Sequence, residues 1–215
     1  MNKTIYVWDL LLRIFHWSLA VAFTVCYATG EEDSALHVYS GYLILALLAF
    51  RILWGFIGPA HARFTDFVRS PVAAVQYLKG LIRGGAENYV GHNPAGGWMV
   101  IALLVSISLT GVSGLKVYGL EGHGPLAATE TPLPVSTPTV VETVCDEDEE
   151  ENEKHKYSKG GDEDEEAEEY WEEIHELLAN FSVFLVVLHL VGVAASSLRH
   201  RQNLIRAMVT GYKQQ

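Results

Sequence analysis

Two imidazoles belong to one apolar stretch from which the charged side chains are missing. In WEEIHELLANFSVFLVVLHLVGVAASSLRH, residues 171–200, the segment Leu177 to Leu198 holds no Asp, Glu, Lys or Arg, yet His189 lies inside it and His175 just ahead. The two are 14 residues apart, so a helix separates them by about 21 Å along its axis and returns them to nearly one face. Titratable groups at two depths of one membrane helix mark a bundle interior or a bound cofactor. Two further histidines, His16 and His37, stand near the starts of other apolar runs, and Arg51 is a cation inside one.

The elements that must position these residues are four runs able to span a bilayer: Ile14–Gly30, Val38–Pro59, Ala95–Leu115 and Leu177–Leu198. Trp8, Trp17, Trp98 and Trp171 lie near run ends, as interfacial anchors do, with Trp54 close to the end of the second. No small-x-small cleavage pattern follows a basic start, so the first run reads as a retained helix. Gly58–Pro59 stops the second.

Charge alternates between the connectors. Residues 142–173 hold 17 acidic and 3 basic residues, a local −14 against an overall −11 that leaves +3 elsewhere. The connector after the first run carries Glu31, Glu32 and Asp33, whereas residues 60–94 and the tail are rich in Arg and Lys. The positive-inside rule then places both termini and the 60–94 connector in the cytoplasm and the acidic connectors in the periplasm of a bacterial inner membrane. Within 60–94, Phe64, Phe67, Val68, Val75, Leu78, Leu81 and Ile82 form the apolar side of an amphipathic segment suited to the membrane surface, with an ordinary surface helix as the competing reading. Residues 121–170 are Pro/Thr-rich and then acidic, and read as a flexible connector: a docking surface for a basic partner or a solubilising loop expansion. Cys26 and Cys145 are too few for a disulfide scaffold.

This topology sorts the histidines by depth. His16 and His189 fall toward the cytoplasmic side, His37 and His175 toward the periplasmic side, each pair drawn from two helices. Bis-imidazole ligation is what an electron-transferring b haem requires, since both axial positions are filled. Zinc would need further ligands, and a proton path would be better served by a membrane carboxylate. Helix packing by a hydrogen-bonded histidine is the plain alternative for each. Gly41, Gly96, Gly97, Gly111, Gly114 and Ala179 offer room for a macrocycle or for a neighbouring helix. Arg51, level with the inner pair, suits a haem propionate, with snorkelling to the surface as the alternative. His61, His92, His123, His155 and His200 fall in connectors, where solvent contact is the default.

The chain also resembles the bacterial cytochrome b561 family, which overlaps the b-type cytochrome subunits of nickel–iron hydrogenases. The text that carries the resemblance is VWDLLLRIFHWSLA at 7–20, HVYSGYLILALLAFRILWGFIGPAHARFTDFV at 37–68, YVGHNPAGGWMV at 89–100, and WEEIHELLAN with LHLVGVAASSLRHRQNLIRAMVTGYK within 171–213. The resemblance implies an all-α membrane protein, a four-helix transmembrane bundle binding two haem b, with His16, His37, His175 and His189 as iron ligands and quinone as a redox substrate. Its expected partners are membrane lipid, quinone and a periplasmic redox protein such as a cytochrome c or a hydrogenase, with no nucleic acid, and assembly as a homodimer or larger redox complex is left open. Residues 121–170 depart from the pattern and weaken the hydrogenase assignment. The segment order is therefore 1–120 with three helices, 121–170 as acidic connector, and 171–215 with the fourth helix and a basic tail. The cytoplasmic connector with His61, Arg63 and His92 is the candidate quinone contact. A haem-free anchor or assembly subunit is the alternative of a different class; a transporter fits less well, for want of an inverted repeat or a broken helix.

Overall fold

A computed structural model describes residues 4–30, 34–85, 87–127 and 148–214, with the side chains of 148–164 and 214 excepted. The elements in order are β1 (Thr4–Tyr6), α1 (Leu10–Ala28), α2 (Ala35–Ile57), α3 (Phe64–Phe67), α4 (Pro71–Arg83), α5 (Pro94–Leu120), α6 (Asp148–His200), α7 (Leu204–Thr210) and β2 (Tyr212–Gln214). Among the described residues, four helical stretches are long and apolar enough to cross a membrane: Leu10–Ala28, Ala35–Ile57, Pro94–Leu120 and Glu165–His200. Capping fixes several starts. Asp9 accepts from Leu12 N at 3.0 Å at the head of α1, Ser70 accepts from Ala73 N with Pro71 in the first turn of α4, and Asn93 accepts from Gly96 N at 2.7 Å ahead of Pro94.

The chain divides into two compact units, residues 1–111 with 178–215, and residues 112–177. In the first unit α1 packs along α2, and Leu12, Phe15, Ala22, Ile44, Leu48, Leu104 and Ile107 make the apolar core. Gly111 lets α5 approach α2, for a Cβ there would meet Leu45 at 2.5 Å. Ser182, fully buried, bonds Ser106 at 2.7 Å and Thr110 at 3.2 Å, joining α6 to α5 where no water competes.

A short ribbon closes one end of this unit. β1 and β2 pair antiparallel with Ile5 opposite Lys213, so the segment ahead of α1 and the segment after α6 meet. Val7 N and Trp8 N donate to the Gly211 carbonyl, and the buried Lys213 ammonium donates to the Tyr89 carbonyl. Burial lowers the pKa of Lys213. Three-residue strands carry too little pattern to be predicted from sequence, and α7, at seven residues, spans only about two turns.

The second unit holds the end of α5, the turn that follows, and α6 up to Leu177. Tyr118 stacks on His123 at 5.3 Å, and the carboxylates of Glu121, Glu168 and Glu172 gather within 4.8 Å of one another. α6 takes in residues 148–170, which sequence reasoning assigns to a flexible connector; the Glu- and Lys-rich composition there has good helix propensity. Residues 128–147 of that connector, with Cys145, lie outside the described residues, as does the side chain of His155.

Candidate functional site

α1 and α6 bring His16 and His189 within electrostatic range of each other in the first unit, and both are partly buried. Arg51, on α2, is 2% exposed. Its guanidinium carbon stands 5.0 Å from the Phe64 ring centroid and 5.8 Å from that of Phe67. It does not snorkel to the surface.

The same aromatic floor receives a residue that sequence reasoning leaves to solvent. His92 packs edge-on to Trp8 at 4.6 Å and against Phe67 at 4.7 Å. Its Nδ1 is buried, and burial followed by the charge of Arg51 pushes its pKa down to about 3, with His189 and His61 contributing. Two close approaches hold the 84–93 connector and the start of α5 here. A Cβ on Gly97 would meet the Phe67 carbonyl at 2.6 Å, and one on Gly91 would meet His61 Nδ1 at 3.1 Å. Phe64 and Phe67 thus face Arg51 rather than the membrane surface, while Val75, Leu78 and Ile82 of α4 remain exposed. Arg63 turns away to a 3.2 Å ion pair with Asp66.

Among the described residues, the buried side-chain nitrogens without a hydrogen-bond partner are Arg13 Nε, His16 Nδ1, Arg51 NH1, Trp54 Nε1 and His92 Nδ1. All five belong to the first unit. Such atoms are costly to leave unpaired. Asp9 is near enough to act on Arg51 electrostatically, but its carboxylate caps α1 at Leu12 N.

His37, also in the first unit, has different surroundings. Its Nδ1 lies 2.9 Å from the Cys26 carbonyl oxygen, which can only accept, so Nδ1 carries the proton and Nε2 the lone pair. Ser40 Oγ donates to the His37 carbonyl at 2.9 Å, and Cys26 Sγ does so at 3.7 Å. A Cβ built on Gly41 meets nothing within 4 Å, so this turn leaves open space after His37.

In the second unit His175 Nδ1 lies 3.0 Å from Ser113 Oγ, and a Cβ on Gly114 would meet the His175 ring at 2.8 Å. Ser113 is invisible to sequence reasoning because a serine in an apolar run normally bonds its own helix. Of the macrocycle-room glycines, Gly97 and Gly111 are used for close packing, Gly114 admits an imidazole, and Gly41 keeps its space.

The arrangement offers imidazole nitrogens to a metal and N–H donors to an acid group. Comparison with known proteins agrees. Proteins named "Probable Ni/Fe-hydrogenase B-type cytochrome subunit" are similar to the chain. That of Rhizobium leguminosarum bv. viciae is 26% identical over 152 residues, 57% of this chain and 63% of that protein. Those of Azotobacter vinelandii and Rhodobacter capsulatus are 27% and 22% identical, over 57% and 60% of this chain and 62% and 60% of theirs. The chain thus spans about three-fifths of the length of these relatives. No solved structure matches it. The profile of the prokaryotic cytochrome b561 family matches residues 7–211, nearly the whole sequence and every histidine discussed above, and the chain belongs to that family.

Proposed function

We propose that the protein is a di-haem b-type cytochrome of the bacterial inner membrane, passing electrons between the quinone pool and a periplasmic redox partner. The inner site is His16 with His189, and the outer site is His37 with His175. The observation that carries the reading is that histidines from α1 and α6 lie within electrostatic range of each other, in the unit that also buries an arginine with an unpaired N–H. A group that brings both a metal and carboxylates fits those residues, and haem b is such a group.

When bound, the haem would supply a one-electron couple, its iron held by the imidazoles of the histidines named above. The chain supplies the rest. The imidazoles hold the metal, and the Cys26 carbonyl and Ser113 hydroxyl fix ring orientation at the outer pair. The apolar core of the first unit, with Leu12, Phe15 and Leu48, would keep water from the inner site. Quinone, the partner's identity and an orientation with both termini cytoplasmic belong to the proposal. The relatives' names favour a hydrogenase as partner, while the clustered Glu121, Glu168 and Glu172 would suit a basic cytochrome c.

The test is a reduced-minus-oxidised spectrum of the purified protein, with haem counting. Two low-spin b haems per chain are expected. A chain that purifies folded without haem would instead be an anchor or assembly subunit.

A further inference from the structure

Arg51 and His92 have no place among the iron ligands, yet the fold spends a buried site on them. Both rest on the ring of Phe67, itself 2% exposed, at 5.8 Å for the Arg51 guanidinium carbon and 4.7 Å for the His92 ring. Phe64 and Trp8 wall the site on either residue's account, at 5.0 Å from Arg51 and 4.6 Å from His92. Arg51 NH1 and His92 Nδ1 are both buried without a partner. The aromatic faces offset part of the arginine's charge but give its N–H groups no acceptor.

The nearby acids are engaged elsewhere: Asp9 caps α1, and Asp66 holds Arg63. An unpaired buried cation is costly, so the arrangement is suited to an anion that arrives from outside the chain. Arginine's planar fork matches a carboxylate in particular, and a neutral imidazole N–H can donate to the same group.

We propose that Arg51 and His92, set together on the Phe67 ring, form a carboxylate cradle filled by a propionate of the haem held between His16 and His189. This inference rests on the haem reading above and assigns His92 as a positioning residue for that haem. Donors that neutralise a propionate remove negative charge from beside the iron, and so favour the reduced state.

The experiment is a potentiometric titration of the full chain in lipid nanodiscs, with resonance Raman spectra of the propionate modes, on Arg51→Gln, Arg51→Lys, His92→Gln and the Arg51→Gln/His92→Gln double variant. The inner haem is identified as the one lost in His16→Ala. Arg51→Gln is expected to lower its reduced-to-oxidised ratio at fixed potential about tenfold, which is about 59 mV for a one-electron couple. His92→Gln is expected to lower it severalfold, and the double variant by less than the product of the singles, because the two share one ligand. Both should alter the propionate modes and leave the outer haem unchanged. If Arg51→Gln does not accumulate in membranes, Arg51→Lys and His92→Gln give the same reading with smaller shifts. An unchanged inner-haem potential and Raman spectrum in both of these would overturn the cradle. Absence of haem from the wild type would overturn the parent reading instead, before any variant is made.

Discussion

The surroundings of His37 and His175 differ from those of Arg51 in how completely the chain satisfies its own polar atoms. At His37 the ring nitrogen is held by a backbone carbonyl, and at His175 by a serine hydroxyl. At Arg51 and His92, which share the Phe67 ring, a nitrogen of each is buried with no partner. A partner on the second nitrogen orients an imidazole that bonds a metal, and two of the four candidate ligands are prepared in this way by the protein alone. The Arg51 region is prepared for acceptor atoms that the chain does not itself provide. One end of the proposed electron path is preorganised, and the other is completed by what it binds.

Mutations can break that contrast. The largest effect is expected from His175→Ala, which should halve the haem content by emptying the outer site while the inner haem keeps its spectrum. Gly114→Val should act in the same direction and nearly as strongly, since a Cβ at that position already meets the His175 ring at 2.8 Å; haem counting on the purified variant checks both. Ser113→Ala removes the hydroxyl 3.0 Å from His175 Nδ1 but keeps the ligand. It should weaken outer-haem retention about 10–100-fold, as loss of such outer-shell partners does at other metal sites, measured as haem loss to an acceptor protein. Equal loss from both sites would show that the hydroxyl acts on the bundle and not on His175.

Gly211→Ala sharpens the comparison from outside it. Gly211 has φ 87°, and a Cβ there would meet the Tyr6 ring at 2.8 Å. The variant should lose about 1–2 kcal/mol through the left-handed backbone alone, read as a lower unfolding temperature, with both haems retained.

The parts legible in sequence were those set by depth. Uncharged length marks the spans, and the helices observed at Leu10–Ala28, Ala35–Ile57, Pro94–Leu120 and Glu165–His200 follow it. Arg51 stood out because a cation in an apolar run demands an explanation. His92 did not, since its level depends on how a connector folds back, and that is decided by the close approach of Gly97 to Phe67. Phe64 and Phe67 were legible as apolar but not as inward-facing, because a four-residue helix has no periodicity to read. Ser113 was hidden for the opposite reason: its helix is so regular that one hydroxyl carries no signal.

The central claim is that His16 and His189 grip the same iron. Haem content of His16→Ala, His189→Ala and the double variant, measured side by side on purified protein, tests it most directly. The account predicts that each single variant loses one haem, that it is spectrally the same haem, and that the double variant loses no more. Two haems lost in the double variant, or different haems lost in the two singles, would contradict it.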